Sequence, residues 1–249
     1  MRASLIALAA LSATLTGAAY AQTPAPAQAS PPAQPAAPVP APAAPKPDAK
    51  PAAPPAPLPN KWMGPEYVLG SPDAKVTLVE YASASCPHCA RFDAKVFPLL
   101  KTQYIDTGKV RYVFREFLTE PENVAAISFL LARCAGHDKY FDVVEQVFRA
   151  QPEIFQSQDL KPIFVRIAKA NGLSEAQLDS CITDKAGIEA LNARVEHAVN
   201  VDKIDSTPTL VANGKTLKQP SGKEWDFAAV DAQLKPLLNG APRHAKHHA

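Results

Sequence analysis

Two cysteines separated by two residues constrain this chain more than any other feature of its sequence. They are Cys86 and Cys89, in the segment S-C-P-H-C-A at 85–90. A hydrophobic run at 76–81 ends just before them, and a helical pattern follows from Arg91. In this arrangement the positive end of a helix makes a cysteine reactive, which predicts thiol–disulfide chemistry. The alternative is half of a zinc site, but a structural zinc site needs four ligands and the sequence has no second C-x-x-C.

The first 21 of the 249 residues have the pattern of a secretory signal peptide. Arg2 precedes an apolar core at 5–11, and Ala-Tyr-Ala at 19–21 is a small-x-small cleavage site. The alternative is a buried N-terminal helix. We therefore expect a signal peptide at 1–21 and a periplasmic protein that does not span the membrane once this segment is removed. The net charge of +2 argues against a nucleic-acid partner.

Residues 22–59 are almost entirely alanine and proline. Such a segment cannot bury enough apolar surface to offset the entropy of ordering, and repeated X-Pro steps favour an extended chain. We expect a disordered linker here; a ligand for a proline-reading partner or a spacer through the cell wall is the alternative. The His-rich end, 241–249, is expected to be a flexible tail.

The rest of the chain, 60–240, has the pattern of one α/β domain. Strands are predicted at 66–69, 76–81 and 110–114, and one helix, kinked at Pro98, is predicted over 89–106. A block of four helical patterns covers about 120–185, with Ser174 as a helix cap. A helix at 188–201, a hairpin turning at Asn213-Gly214 and a final helix at 225–238 follow. This order predicts a thioredoxin fold with an inserted helical domain.

Export allows the cysteines to form lasting disulfides. Four cysteines permit three pairings. Cys86 with Cys89 is the local pair, which leaves Cys134 with Cys181. These two would join the first helix of the block to the fourth; a reduced, inert buried pair is the alternative.

Several motifs together resemble the DsbA-type periplasmic dithiol oxidases over roughly 62–238. Cys-Pro-His-Cys at 86–89 is that family's active-site motif, and Glu80 lies six residues before Cys86, where the family has a buried glutamate. The segment 70–74 resembles the family's lead-in segment, and 114–117 resembles its strand-end segment. The segment 207–209 resembles its cis-proline loop. Thr207 is a departure, because the best-known oxidase has valine there and several isomerases have threonine. The Cys134–Cys181 pair resembles a second disulfide of some members.

The residues between and around the cysteines predict the direction of the chemistry. Cys86 would be the attacking sulfur, because a helix N-terminus stabilises its thiolate, and Cys89 would be the shielded resolving sulfur. Pro87 and His88 favour a strong oxidant, with the His88 side chain close to the Cys86 sulfur. The redox-active pair needs no cofactor and no metal.

Two further positions complete the expected site. Glu80 would be a buried carboxylate that relays protons to a thiol; an edge-exposed glutamate or a lysine partner is the alternative. Pro208 would be cis and would present the Thr207 backbone to an extended substrate; an ordinary trans proline is the alternative. Arg115 and Glu116 are interpreted as solvated or structural charges.

The hypothesis that follows is an exported, monomeric dithiol oxidase. Its substrates would be unfolded or reduced exported proteins, and a membrane quinone-linked oxidase of the DsbB type would reoxidise it. The second hypothesis is an isomerase or reductase kept reduced by a membrane electron donor, which Thr207 favours. The third is a metal carrier that uses the cysteine pair and the tail residues His244, His247 and His248.

Overall fold

The structure, a computed structural model, describes residues 66–240. The predicted signal peptide at 1–21, the linker at 22–59, the start of the domain at 60–65 and the tail at 241–249 lie outside these residues. Within 66–240 no helix has the length and apolar character needed to cross a membrane.

A mixed five-stranded sheet in the order β1-β3-β2-β4-β5 forms the centre of the fold. Its central strand, β2, pairs in parallel with β3 and antiparallel with β4. The nearly continuous apolar sequence of this strand predicted a central position with both faces covered, and the sheet order agrees with that prediction. The strands are β1 (Tyr67–Leu69), β2 (Val76–Ala82), β3 (Val110–Glu116), β4 (Thr209–Ala212) and β5 (Lys215–Thr216).

Helices cover the sheet and form a block inserted after β3. Together with the sheet order, this confirms the predicted α/β class with a helical insertion. The helices are α1 (Pro87–Lys95), α2 (Phe97–Leu100), α3 (Glu122–Cys134), α4 (Tyr140–Gln156), α5 (Lys161–Ala170), α6 (Glu175–Ile182), α7 (Lys185–Asn200) and α8 (Phe227–Gly240). A π-helical turn, Lys101–Ile105, and a 3-10 turn, His137–Lys139, complete them.

The helix predicted over 89–106 is kinked as expected, but it is not one regular α-helix. The α-helix begins at Pro87 and ends at Lys95; α2 and the π-helical turn follow. The interruption lies at Val96, just before Phe97 and Pro98, because a proline lacks the N–H of the helical ladder and its ring clashes with the preceding turn. The Val96 N–H donates to the Phe92 carbonyl at 2.8 Å, and the Val96 carbonyl accepts from the Leu100 N–H at 3.0 Å, so the helical backbone continues through a kink two residues before the proline.

Two local predictions are confirmed by backbone geometry. Ser174 caps α6 in a capping box: its hydroxyl accepts from the Gln177 N–H at 3.2 Å, and the Gln177 side chain accepts from the Ser174 N–H at 2.8 Å. Asn213 and Gly214 have φ values of 48° and 77°, and they turn β4 into β5. Positive φ at both positions is what a two-residue hairpin requires.

Glu116 was interpreted from the sequence as either a solvated or a structural charge, and the first interpretation is wrong. This carboxylate is 3% exposed and lies between two arginines: it accepts from Arg133 Nε at 2.6 Å and from Arg194 Nε at 2.7 Å, and the Tyr140 hydroxyl donates to it at 3.0 Å. Its chain neighbour Arg115 points to the other face of β3, as alternation along a strand requires. The structural interpretation therefore describes Glu116.

A disulfide between Cys134 and Cys181 joins the end of α3 to α6, with the two Cα atoms 6.1 Å apart. Because 47 residues separate the two cysteines, this bond closes most of the helical block into one loop. Cys86 and Cys89 are both free and buried in this structure.

Candidate active site

Cys86 lies at the point where β2 passes into α1. It is the N-cap residue of α1, with extended backbone angles of −79° and 119°, and Pro87 occupies the first turn. Proline fits there because its fixed φ suits the helix and its missing N–H would have no helical partner. The Cys86 sulfur therefore faces the free N–H groups and the positive end of the helix dipole.

The surroundings of Cys86 stabilise its thiolate. A hydrogen bond from the Cys89 thiol lowers the pKa of Cys86 to about 5, and the Thr207 side chain and the backbone N–H groups of Cys89 and His88 act in the same direction. Burial opposes this shift but is outweighed. When Cys86 is protonated, its thiol can instead donate a hydrogen bond to the backbone carbonyl of Thr207, with Sγ 3.4 Å from the oxygen.

Cys89 has the opposite character. It lies inside the first turn of α1 and has no exposed surface. Burial raises its pKa well above the ordinary value, and the hydrogen bond to Cys86 and the nearby Cys86 and Glu80 charges add to the shift. At neutral pH the reduced pair therefore consists of an ionised Cys86 and a protonated Cys89.

The Thr207–Pro208 peptide bond is cis, and its loop lies against Cys86. Trp225, which is buried just before α8, contacts this loop. Its indole N–H donates a hydrogen bond to the Pro208 carbonyl at 3.3 Å. The backbone of Thr207 is thus beside the sulfur, where an extended peptide could pair with it.

Glu80 is 2% exposed and accepts a 2.5 Å hydrogen bond from the Tyr112 hydroxyl. The two alternatives for Glu80, an edge-exposed glutamate and a glutamate paired with lysine, are therefore wrong. Burial raises the pKa of Glu80 to about 8, partly offset by the Tyr112 bond and reinforced by Asp93 and Cys86. The carboxyl is therefore mostly protonated at pH 7 and can give up a proton near neutrality.

A cavity of about 530 Å³ reaches Glu80 from the side of the sheet that α1 and α4 cover. Asp93, one helical turn after Cys89, also lines it, and burial raises the pKa of Asp93 to about 7.

The structure does not bring the His88 side chain to the Cys86 sulfur as expected. The ring is largely exposed, and its Nδ1 lies 2.9 Å from Arg91 Nη2 and 3.3 Å from Glu224 Oε1. Arg91 and Glu224 also form an ion pair. His88 therefore contributes to stabilising the thiolate through its backbone N–H and not through its ring.

Buried polar side chains fix the loop between β2 and α1. The Ser83 and Ser85 hydroxyls lie 3.0 Å apart; Ser85 donates to the Thr119 carbonyl at 2.7 Å, and the Thr119 N–H donates to Ser83 at 3.1 Å. Gln151 of α4 donates to the carbonyls of Ala84 and Cys86. Hydrogen bonds to Thr119 and to Gln151 thus fix the loop.

Sequence reasoning missed Tyr112, Gln151 and Glu224. Gln151 had a detectable signal, because it is the one polar residue on the apolar stripe of α4, whose buried members are 140, 143, 144, 147, 148, 151 and 154. Tyr112 could be found only with the register of β2 on β3, which puts it on the same face as Glu80. Glu224 lies in a loop and had no signal.

Within the described part of the chain, no group of three or more histidine, cysteine or acidic side chains could hold a metal ion. The hypothesis of a metal carrier therefore depends on tail residues outside 66–240.

Comparison with known proteins gives matches over most of the described residues. The protein-family model described as Thioredoxin matches residues 63–232. The chain is 31% identical over 175 residues to a Rickettsia bellii protein that carries the name of a protein-disulfide oxidoreductase, a match covering 70% of this chain and 66% of that protein. It is 27% identical over 173 residues to disulfide bond formation protein D of Bacillus subtilis, covering 68% of this chain and 77% of that protein.

The chain spans between 53% and 66% of the length of the Rickettsia relatives that it matches. Among solved structures, alpha-DsbA1 of Wolbachia pipientis is 28% identical with a TM-score of 0.62; the superposition covers 74% of this chain and 94% of that protein.

Proposed function

Since the chain belongs to the thioredoxin family and has a DsbA-like fold, we propose that it is an exported protein dithiol:disulfide oxidoreductase that acts as an oxidase. Its Cys86–Cys89 disulfide would pass to reduced, unfolded proteins in the periplasm. The observation that carries this proposal is the contrast between a stabilised Cys86 thiolate and a shielded Cys89 thiol. A stabilised thiolate favours the reduced pair and so makes its disulfide a strong oxidant.

The proposed reaction has two exchange steps. A substrate thiolate attacks Cys86 Sγ of the oxidised pair, forming a mixed disulfide, and Cys89 leaves and takes up a proton. A second substrate thiolate then attacks the substrate sulfur of the mixed disulfide, so that Cys86 leaves as a thiolate. The substrate dithiol loses two electrons and two protons; the pair gains both electrons, Cys89 keeps one proton, and the other goes to solvent.

We assign the surrounding residues roles in these steps. Glu80, protonated near pH 7 and beside the pair, would supply the proton to Cys89. The Thr207 backbone before Pro208 would hold the extended substrate next to Cys86. Pro87 would start the helix that stabilises the thiolate, and His88, held by Arg91 and Glu224, would line the entrance to the site.

The remaining parts of the proposal concern the setting of the reaction. Residues 1–21 would direct export, 22–59 would tether the domain at 60–240, and a membrane quinone-linked oxidase of the DsbB type would restore the disulfide. The protein would act as a monomer with no cofactor besides the cysteine pair, and the Cys134–Cys181 disulfide would be structural.

Thr207 before the cis-proline favours isomerase or reductase activity as the second candidate. Two assays on the purified protein separate the candidates: oxidative refolding of reduced, denatured ribonuclease, and the equilibrium of the pair with glutathione. An oxidase should accelerate refolding and have a potential nearer to about −120 mV than to about −270 mV, the values for an oxidant and a reductant of this fold. Reactivation of scrambled ribonuclease alone, with a potential near the lower value, would favour the second candidate.

A further inference from the structure

Gln151 reaches from the inserted helical block into the loop that carries Cys86. Its side chain is on α4 and is 4% exposed. The amide Nε2 donates to the Ala84 carbonyl at 2.8 Å and to the Cys86 carbonyl at 3.1 Å. One buried amide group therefore holds two carbonyls of the loop between β2 and α1.

The Cys86 carbonyl is also the first acceptor of α1, since the Ala90 N–H donates to it at 3.1 Å. On its other side, the Cys86 N–H donates to the Ser83 carbonyl at 3.0 Å. The direction of the Cys86 carbonyl sets the ψ angle of this residue, and ψ decides how its side chain faces the N-terminus of α1. Gln151 thus acts on the peptide group that orients the reactive sulfur.

We propose that Gln151 is a positioning residue for Cys86, through which the helical block sets the reactivity of the cysteine pair. The inference rests on the proposed thiol–disulfide activity but not on its direction. Gln151 would hold the carbonyls of Ala84 and Cys86 so that the Cys86 sulfur stays against the N–H groups of α1. It would also satisfy the second lone pair of a carbonyl close to the thiolate.

Loss of the amide would act on the loop rather than on the core. The Ala84 carbonyl, which accepts from Gln151 in the interior, would lose that donor, and the Cys86 carbonyl would keep only Ala90. A buried carbonyl without a donor is costly, so the loop would turn to find another donor or water. The sulfur would then face the N–H groups of His88 and Cys89 less well, and its thiolate would be less stabilised.

The chain offers a matched control on the same helix. Gln146 is partly buried on α4, and its side chain exchanges hydrogen bonds of 3.4 and 3.3 Å with Asn171 at the end of α5. These hydrogen bonds lie entirely within the helical block. A Gln146→Met variant therefore reports what losing a glutamine from α4 does to stability alone.

The experiment compares Gln151→Met, Gln151→Asn and Gln146→Met with the unaltered protein. The pKa of Cys86 is followed by thiolate absorbance at 240 nm, the equilibrium constant with glutathione is measured, and urea unfolding reports stability. Methionine keeps the length of the side chain without its donors; asparagine keeps the amide but cannot reach as far.

We expect both Gln151 variants to raise the pKa of Cys86 by about one unit and to move the glutathione equilibrium by about tenfold toward the disulfide. Gln146→Met should change neither. If both folded Gln151 variants kept the pKa and the equilibrium constant of the unaltered protein, Gln151 would be merely structural and the inference would be wrong. A low potential in the unaltered protein would contradict the oxidase proposal but would leave this comparison intact.

Discussion

The Tyr112 hydroxyl donates a 2.5 Å hydrogen bond to Oε2 of the Glu80 carboxyl group in the interior of the protein. Each of the two side chains is 2% exposed. The bond lowers the pKa of Glu80, yet burial dominates and holds it at about 8. Glu80 is therefore poised to exchange a proton near neutral pH, which has consequences for stability.

Glu80 should contribute a loss of stability as the pH rises. Its pKa is about 8 in the folded state against an ordinary value of 4.5, so between these values the folded state binds more protons than the unfolded state. The cost is absent below pH 4.5, grows through this window and is constant above about 8; it reaches at most about 3 kcal/mol at pH 7. Glu80→Gln should lack this fall in the free energy of unfolding, measured with urea at several pH values.

Tyr112→Phe provides the control for this prediction. It removes the donor and keeps the carboxyl, so the pKa of Glu80 should rise further and the fall in stability should extend to higher pH. Parallel pH profiles for Glu80→Gln and the unaltered protein would show that Glu80 does not titrate as proposed.

In the reduced protein, Cys86 should contribute a pH dependence of the opposite sign, which offsets that of Glu80. Its pKa is lowered from 9 to about 5, so between pH 5 and 9 the unfolded state binds more protons than the folded state. The stabilisation is fully present above pH 9 and is lost as the pH falls toward 5. Only the reduced form has the Cys86 thiolate, and its charge is a minor addition to a Glu80 pKa that burial already raises in both forms. The stability of the reduced form minus that of the oxidised form should therefore increase from pH 5 to 9. A difference independent of pH would contradict a stabilised thiolate.

Removal of the Cys134–Cys181 disulfide should affect stability and not exchange chemistry. The bond closes a loop of 47 residues, for which chain entropy predicts a stabilisation of about 4 kcal/mol. The double substitution Cys134→Ser/Cys181→Ser should lower the free energy of unfolding by up to that amount and leave the pKa of Cys86 unchanged. Lost ribonuclease refolding activity at unchanged stability would indicate a redox role for this pair.

Glu116 should be among the most sensitive positions outside the cysteine pair. Glu116→Ala would leave Arg133 and Arg194 without their shared buried carboxylate, and breaking such a group costs about 3–5 kcal/mol. Urea unfolding should show this loss. Glu153→Gln, which breaks the exposed ion pair to Arg166, is the control and should leave the free energy of unfolding nearly unchanged.

The local features of the fold followed from the sequence, and the contacts between distant segments did not. Strand patterns, the Ser174 cap and the hairpin at 213–214 depend on neighbouring residues, so the sequence was enough to predict them. The environment of Glu116 depends on two arginines that lie 17 and 78 residues further along the chain. Spacing cannot reveal such partners, because they meet only when helices pack on the sheet.

The same distinction holds within the site. The cysteine pair and Glu80 lie within ten residues of one another and were visible as a motif. Gln151 lies 65 residues after Cys86 and comes from the inserted block. His88 could be identified from the motif, but the position of its side chain could not, because the exposed ring contacts Arg91 and Glu224.

The redox state of Cys86 and Cys89 in growing cells tests the oxidase proposal most directly. Cells that express the full chain are quenched in acid, free thiols are trapped with a large alkylating reagent, and the protein is resolved by size. Cys134→Ser/Cys181→Ser in the same assay leaves only the active-site pair to react. An oxidase should be recovered mainly with Cys86 and Cys89 joined and unmodified; a pair recovered mainly reduced and doubly modified would contradict the account.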